Sequence, residues 1–205
     1  MQQPLRIAVF ASGNGSNFQA LADAVQAGEL DATIELLVCD KPKAKVVERA
    51  KLAGVEPFIF EPKRYASREV YEAEILQRLT EKKVDLIVLA GYMRIITDTL
   101  VTPYYGRMIN IHPSLLPAFP GVNAIRQAME LGVKLTGVTV HFVDGGMDTG
   151  PIIAQRAVEI EEEATEASVT ESIHAVEMKL YPQVVQWIAK GQVQLVERKV
   201  QIIHS

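Results

Sequence analysis

The segment Leu86-Ile-Val-Leu-Ala90 is apolar at every position, without the polar alternation of a strand that has one face in water. A strand that is buried on both faces is typical of parallel sheets covered by helices on each side. We therefore predict that this segment is a central strand of such a sheet.

Five other apolar, strand-like runs lie along the chain, and the central run itself extends over residues 84–90. The other runs are residues 5–10, 34–39, 57–60, 108–111 and 137–143. The segments between the runs carry apolar residues every three or four positions, which is the pattern of helices packed on a core. This alternation of strands and helices predicts an α/β fold with a mostly parallel, twisted sheet and helices on both faces.

Three helices have recognisable ends in the sequence. The first is predicted to begin near Asn17, whose side chain can cap free N–H groups, and to end at Gly28. A second helix follows Ser67, and a long third helix is predicted from about residue 167 to residue 190. Neither internal repeats nor a low-complexity linker interrupt the sequence, so we expect a single domain over residues 1–205.

The composition is that of a globular protein, with 48% hydrophobic and 22% charged residues among 205. A net charge of −4 argues against binding along nucleic acid, which requires many cationic contacts. The apolar runs are shorter than the ~20 residues of a membrane span, so we expect no membrane association. The single cysteine, Cys39, excludes an internal disulfide, and the start of the chain lacks a signal-peptide pattern, so we expect a cytoplasmic location.

The segment Ser12-Gly-Asn-Gly-Ser-Asn17 links the first predicted strand to the first helix. Unpaired N–H groups and the helix dipole favour an anion at such a turn, and its glycines let a ligand approach the backbone. A plain strand-to-helix turn is the structural alternative. A dinucleotide site is another, because Asp40 ends the second strand where a ribose-binding acid would lie, although Phe18 replaces the third glycine of that fingerprint.

The segment Met108-Ile-Asn-Ile-His-Pro-Ser-Leu-Leu-Pro117 places Asn110 and His112 on the same side of a strand end, because side chains alternate along a strand. An imidazole can transfer a proton, and a carboxamide can donate a hydrogen bond to a developing oxyanion. The two residues are therefore candidate catalytic groups. A structural histidine with an asparagine in a turn is the alternative.

A second glycine-rich segment, Asp144-Gly-Gly-Met-Asp-Thr-Gly150, follows the last predicted strand. Asp148 could pair with His112 across the end of the sheet and favour its protonated form. Two acids and a histidine could instead bind a metal, but ligands scattered in this way are a weak signal. His141 lies within an apolar strand and is predicted to be an inner residue with satisfied hydrogen bonds.

These loops together resemble those of the folate-dependent glycinamide ribonucleotide transformylases, also named phosphoribosylglycinamide formyltransferases. The resemblance rests on four motifs, which occur in order over nearly the whole chain: Ser12–Asn17, Ala90-Gly-Tyr-Met-Arg-Ile-Ile96, Asn110 to Pro117, and residues 144–151. It implies the formyltransferase fold with a Rossmann-like N-terminal half. It also implies transfer of the formyl group from 10-formyltetrahydrofolate to the amine of N1-(5-phospho-D-ribosyl)glycinamide in de novo purine (IMP) biosynthesis, with tetrahydrofolate as the second product.

The resemblance assigns catalysis to three residues and implies that no metal takes part. Asn110 would donate a hydrogen bond to the formyl oxygen, His112 would act as acid and base, and Asp148 would orient His112 and raise its pKa. Many members of the family carry a histidine where this chain has Asn123, so any assisting role of that histidine is absent here.

The same resemblance assigns two sets of ligand-binding residues. Those for the ribonucleotide are Gly15, Ser16, Asn17, His174 and Glu177; those for the folate co-substrate are Arg68, Met93, Arg94, Ile95, Ile96, Asn110, Asp144, Gly145, Gly146 and Met147. The expected partners are these two small molecules, and we expect the chain to be a monomer or a homodimer.

Three competing functions remain open at this point. Formyltetrahydrofolate deformylases use a similar core to pass the formyl group to water, but usually carry an N-terminal regulatory domain that is not expected here. Methionyl-tRNA formyltransferases normally have an additional C-terminal domain and a basic surface for tRNA. A non-catalytic nucleotide-binding module would use only the first glycine-rich loop.

Overall fold

The computed structural model describes residues 3–203 of the chain. Within these residues the main sheet consists of β1 (Leu5–Phe10), β2 (Ala32–Cys39), β3 (Pro57–Ile59), β4 (Leu86–Leu89), β5 (Met108–His112), β6 (Leu135–Phe142) and β7 (Ile152–Glu159). The α-helices are α1 (Ser16–Gln26), α2 (Lys45–Leu52), α3 (Arg68–Glu81), α4 (Asp98–Val101), α5 (Ala124–Leu131) and α6 (Glu166–Ala189). A hairpin of β8 (Val193–Val196) and β9 (Lys199–Ile202) follows α6.

Strands β1 to β5 run parallel, whereas β6 is antiparallel to β5 and β7 is antiparallel to β6. The order across the sheet is β3-β2-β1-β4-β5-β6-β7. Strand β4 therefore lies at the centre, and all of its residues are buried. The prediction of a mostly parallel sheet with Leu86-Ile-Val-Leu-Ala90 as a central strand is confirmed.

Alternate residues of the strands supply two hydrophobic cores, one on each face of the sheet. On β1, Ile7 and Val9 belong to the core that includes α1, α2 and α6, whereas Ala8 and Phe10 belong to the core that includes α3 and α4. Neighbouring residues of a strand point to opposite faces. A strand that is apolar at every position thus contributes to both cores, and the predicted helices on both faces are confirmed.

The predicted helix ends agree with the structure to within two residues. Helix α1 begins at Ser16 and ends at Gln26, close to the predicted Asn17 and Gly28. Helix α3 begins directly after Ser67, and α6 begins and ends one residue earlier than predicted. Neither α6 nor any other helix in the described part of the chain is long and apolar enough to cross a membrane.

Helices α2, α4 and α5 lie in segments that were predicted to be helical without bounds, whereas β7 and the β8–β9 hairpin were not predicted from the sequence. Helices α2 and α5 have only eight residues each, and only three and two of these are buried, so their apolar periodicity is short. Strand β7 is at the edge of the sheet and carries exposed polar residues such as Arg156. A strand of this kind lacks the apolar run that identifies a central strand.

The buried Tyr181 ties α6 to the ends of two central strands. Its hydroxyl donates a hydrogen bond to the carbonyl oxygen of Leu89, at 2.6 Å, and lies 3.2 Å from the carbonyl oxygen of Ile109. The side chain is fully buried in the core on the α6 side of the sheet. This contact fixes α6 against β4 and β5 immediately beside Asn110.

We expect Tyr181→Phe to lower the free energy of unfolding by about 1–2 kcal/mol, because the carbonyl oxygen of Leu89 loses the buried hydroxyl that donates to it. Urea unfolding followed by circular dichroism measures this quantity. The control is Tyr105→Phe, since Tyr105 is 62% exposed and its substitution should have little effect. Equal losses in the two variants would contradict the assigned role of the Tyr181 hydroxyl.

Candidate active site

A polar cluster occupies the face of β5 and β6 that is turned away from α6. Ile109, Ile111 and Val140 belong to the core on the α6 side. Asn110, His112 and His141 alternate with these residues and therefore point to the opposite face. Asn110 is directly opposite His141 in the antiparallel pairing of the two strands. The sheet itself thus places one carboxamide and two imidazoles next to one another.

Asp148 lies between the two imidazoles. Its Oδ2 atom is 3.5 Å from Nδ1 of His112, and its Oδ1 atom is 3.7 Å from Nε2 of His141. Nε2 of His141 is in turn 3.3 Å from Nδ2 of Asn110. The structure therefore brings together the three residues predicted to be catalytic, and it adds His141 to them.

Both ring nitrogens of the buried His112 face oxygen acceptors. Nε2 is 2.8 Å from the carbonyl oxygen of Phe119, and Nδ1 faces the carboxylate of Asp148. A doubly protonated imidazolium can donate to both acceptors, whereas a neutral ring can donate to only one. The geometry therefore offers one oxygen acceptor to each ring nitrogen.

Asp148 is well suited to remain ionised. Burial alone would raise its pKa, but the interaction with His141, the hydrogen bond from Gly121 N–H and the charge of a protonated His112 together lower the pKa below its usual value. The Gly121 N–H group lies 2.7 Å from Oδ2. Near neutral pH, the site contains a carboxylate rather than a carboxylic acid.

Glycine is required where the loop of Asp148 returns to the sheet. A Cβ atom on Gly150 would overlap the carbonyl oxygen of Phe142, so the loop can pass this point only with a residue that has no side chain. The path of residues 144–150 therefore depends on the glycine at position 150.

The loop after β5 is fixed on the same face of the sheet by Thr139. The Thr139 hydroxyl donates to the carbonyl oxygen of Ser114, at 2.7 Å, and accepts a hydrogen bond from Leu116 N–H. Thr139 is also directly opposite His112 in the pairing of β5 and β6. The same residue therefore holds the loop in place and lies beside the imidazole. This arrangement positions Phe119 and Gly121 around the cluster.

The first glycine-rich loop ends at Gly15, which precedes α1 with a positive φ of 77°. A Cβ atom there would lie 2.5 Å from Cγ2 of Val46, so both the backbone angle and the close approach of α2 require glycine. Asn17, in the first turn of α1, donates from Nδ2 to Oε2 of the buried Glu177 at 3.2 Å. The structure thus joins two residues of the predicted ribonucleotide set, whereas His174 lies exposed on α6 one turn earlier.

The dinucleotide alternative does not fit this arrangement. Asp40, in the position of a ribose-binding acid, is paired with Arg94, with 2.7 Å between Oδ2 and Nε. Phe18, in place of the third glycine, is fully buried in the core on the α6 side. The carboxylate that would bind a ribose is therefore already engaged by a side chain of the protein.

The residues predicted to contact the folate are divided between several segments. Met93, Ile95 and Met147 are large apolar side chains with more than half of their surface exposed, which is common where an apolar ligand binds. Arg68 is exposed at the start of α3, and Asp144 accepts a hydrogen bond from Gly146 N–H within its own loop. Arg94 and Ile96 belong to the same segment as Met93 and Ile95.

The structure also shows the surroundings of Asn123 and His141, whose roles the sequence left open. Asn123 precedes α5 with a left-handed φ of 58°, a conformation that asparagine tolerates better than most residues.

His141 is an inner, hydrogen-bonded residue as expected, but it also belongs to the polar cluster. The sequence shows its apolar strand but not the register that places it opposite Asn110.

Metal binding by two acidic residues and a histidine was the alternative function considered for the segment of residues 144–150. Among residues 3–203, no group of three or more histidine, cysteine or acidic side chains is arranged in a way that could hold a metal ion. The polar cluster can instead supply a proton donor, a hydrogen-bond donor and a carboxylate.

Comparison with known proteins identifies the family. The family model described as formyl transferase matches residues 5–185. The phosphoribosylglycinamide formyltransferase of Bacillus subtilis (strain 168) is 54% identical over 180 residues, which cover 88% of this chain and 92% of that protein.

The fold agrees with solved structures of the same kind. The glycinamide ribonucleotide transformylase 1 of Symbiobacterium toebii superposes with a TM-score of 0.97 at 41% identity, and the match covers 100% of this chain and 96% of that one. A more distant match is a formyltetrahydrofolate deformylase of Pseudomonas syringae, with a TM-score of 0.92 at 26% identity over 98% of this chain and 67% of the other. On the family model and on this degree of identity, the chain belongs to the phosphoribosylglycinamide formyltransferase family of formyl transferases.

Proposed function

We propose that this protein transfers the formyl group of 10-formyltetrahydrofolate to the amine of N1-(5-phospho-D-ribosyl)glycinamide, a step of de novo purine biosynthesis. The observation that carries the proposal is the position of Asp148 between His112 and His141, with Asn110 beside them. Together with membership of the family, this cluster supports direct formyl transfer between two bound small molecules.

The proposed reaction is the attack of the amine nitrogen on the formyl carbon. A new C–N bond forms, and the carbonyl oxygen gains negative charge in a tetrahedral intermediate. The bond from carbon to the folate nitrogen then breaks, that nitrogen gains a proton, and the amine loses one. The enzyme must therefore stabilise one oxyanion and move protons between two nitrogens.

The side chains of the cluster match these two tasks. Nδ2 of Asn110 donates to the developing oxyanion. Among residues 3–203 its one hydrogen-bonding contact is a long one, of 3.3 Å, with Nε2 of His141. His112, in its protonated form, stabilises the intermediate and supplies the proton to the leaving folate nitrogen from Nε2, which then gives up its contact with the carbonyl oxygen of Phe119. Asp148 orients His112 and stabilises its positive charge through the contact with Nδ1.

The ribonucleotide is proposed to bind at the first glycine-rich loop. Gly15, Ser16 and Asn17 lie at the N-terminus of an eleven-residue helix, where free N–H groups favour a phosphate. Glu177 can accept a hydrogen bond from a ribose hydroxyl, and His174 adds a polar group one turn away. Asn17 links the two parts of the site through its contact with Glu177.

The folate is proposed to bind between the segment after β4 and the loop after β6. Met93, Ile95 and Ile96 supply apolar contacts, and Arg94 and Arg68 supply positive charge for the acidic part of the co-substrate. The backbone of Asp144, Gly145, Gly146 and Met147 supplies hydrogen bonds to its polar ring edge.

The wider assignment covers the whole chain. We propose that residues 1–205 act as one cytoplasmic domain, as a monomer or homodimer, without a metal and without a nucleic-acid partner.

A deformylase is the second candidate function, because a deformylase structure shares the fold over nearly the whole chain. The two functions differ only in the acceptor of the formyl group, which is water in one case and an amine in the other. The acceptor is therefore what the first experiment must vary.

We expect the purified protein to form tetrahydrofolate from 10-formyltetrahydrofolate only when the ribonucleotide is present, and equally well with a metal chelator. Absorbance of the folate measures turnover with and without the acceptor. Turnover without the acceptor would establish the deformylase instead, and no turnover in either condition would overturn the folate assignment.

Substitutions in the cluster should affect the chemical step more than binding. We expect His112→Ala to lower kcat by about 10²–10⁴ fold, and Asn110→Ala to lower it by about 10²–10³ fold. Asp148→Asn keeps the shape but removes the charge and should also lower kcat. The control is Asp23→Asn, since Asp23 is an exposed aspartate on α1. Normal kcat in all three cluster variants would contradict the proposed mechanism.

Glu177 provides a test that depends on pH. Burial raises its pKa above the usual value, although the charge of His174 and the hydrogen bond from Asn17 oppose the shift. The unfolded chain ionises Glu177 at about pH 4, whereas the folded chain ionises it only at higher pH. As pH rises through the folded pKa, the wild-type protein therefore loses free energy of unfolding that a variant without this carboxyl keeps.

We expect the free energy of unfolding of Glu177→Gln to increase relative to wild type as pH rises from about 4, near the unfolded pKa, through the higher folded pKa, and then to stay at a constant difference. The KM of the variant for the ribonucleotide should increase on the order of tenfold. Urea unfolding at several pH values and steady-state kinetics measure these effects. Glu171→Gln, at an exposed position of the same helix, is the control, and identical pH profiles for wild type and Glu177→Gln would refute the argument.

A further inference from the structure

A buried carboxylate at the end of β2 has no role in the reaction described above. Asp40 directly follows β2, and its side chain has no exposed surface. Oδ2 accepts a hydrogen bond from Nε of Arg94 at 2.7 Å, whereas Oδ1 has no hydrogen-bond partner among the described residues. Removing a carboxylate from water is costly unless it is paired, so its presence here requires an explanation.

Stability alone does not explain this pair. The side chain of Arg94 is 41% exposed, and ion pairs with an exposed partner contribute little to stability. Pairs that are buried often only offset the cost of their desolvation. An ion pair of this kind is better explained by the orientation it gives to the arginine.

Arg94 belongs to the segment proposed to bind the folate, and the two ends of that segment are fixed independently of Asp40. On one side, Ser12 N–H donates to the carbonyl oxygen of Gly91, and Met93 N–H donates to the Ser12 hydroxyl. On the other side, the backbone N–H and the hydroxyl of Thr97 both donate to the buried Glu72. Between these ends, Asp40 is the group that holds the side chain of Arg94.

The geometry also leaves part of Arg94 available to a ligand. Only Nε is used by Asp40, and Nη1 and Nη2 make no hydrogen bond to residues 3–203. A guanidinium that is fixed through one edge can bind an anionic or carbonyl group through the other with less loss of side-chain entropy.

We propose that Asp40 is a positioning residue for the folate co-substrate, because it holds the guanidinium of Arg94 in the orientation that binds the ligand. This inference rests on the proposed function. It adds a residue that touches neither substrate but determines how well one of them binds. The ribonucleotide, which is assigned to a different loop, should be unaffected.

Asp40→Asn tests the proposal, because it keeps the shape of the side chain and removes its charge. We expect KM for 10-formyltetrahydrofolate and the Kd of tetrahydrofolate, from equilibrium dialysis, to increase about tenfold, which corresponds to the loss of one good polar contact. The kcat at saturation and the KM for the ribonucleotide should stay within about twofold of wild type. Asp40→Ser, which is smaller and uncharged, should give the same split if the asparagine variant folds poorly.

Glu56→Gln is the matched control. Glu56 forms an ion pair of 2.8 Å with Lys82, away from the folate segment, so breaking that pair should leave both KM values unchanged. Thermal melting of all variants separates a loss of fold from a loss of affinity.

A double-mutant cycle with Arg94→Ala shows whether Asp40 acts through Arg94. If it does, the KM of the double variant for the folate should match that of Arg94→Ala alone, because an absent guanidinium cannot be misplaced. Additive effects would overturn the inference, as would an unchanged folate KM in Asp40→Asn or an equal increase for both substrates. A wild-type protein without acceptor-dependent turnover would overturn the proposed function instead, so the two failures are distinguishable.

Discussion

The burial of β1 and β4 on both faces is the constraint on which the rest of the structure depends. Strands that carry apolar side chains on both faces of the sheet need a layer of helices on each face. The chain can supply both layers only by crossing over between parallel strands, which brings the loops after β1, β2 and β4 to the same end of the sheet. The loop after β4 therefore contacts both other loops: Ser12 bonds to its backbone, and Asp40 pairs with its Arg94.

The change from parallel to antiparallel pairing at β6 creates a different environment. Here α6 packs on one face, while the other face carries Asn110, His112, His141 and Thr139. Polar side chains can occupy this face because the loops after β5 and β6 lie over it and supply hydrogen-bond partners. The ionised Asp148 is tolerated among buried groups for the same reason, since two imidazoles and a backbone N–H surround it.

Much of the fold could be predicted because its main signals are local. Strand β4 is a continuous apolar run and its parallel neighbours are mostly apolar. Both ends of α1 and α6, and the start of α3, lie within two positions of the residues that predict them. The pairing of His112 with Asp148 was predicted from the chemistry of the two side chains, and the structure places them 3.5 Å apart. Edge strand β7 lacks such a local signal, so the sequence did not reveal it.

The contacts that the sequence could not reveal join residues that are far apart along the chain. Asp40 and Arg94 are separated by 54 positions, and Asn17 and Glu177 by 160. His141 belongs to the polar cluster only because β6 pairs with β5 in one particular register. The alternation of apolar residues along β6 fixes which face His141 is on, but a shift by two residues would keep that face and move His141 away from Asn110.

The layer that covers the polar cluster is made of loops, whereas the opposite face of the same strands is covered by a 24-residue helix. Loop backbone that is held by a few side-chain hydrogen bonds, such as those of Thr139 and Asp144, opens at a much lower free energy than a helix packed on a core. The covers of the two faces of the sheet therefore differ in the free energy needed to open them. An opening of the loop cover would therefore expose the polar cluster without unfolding α6 or the core on which α6 packs.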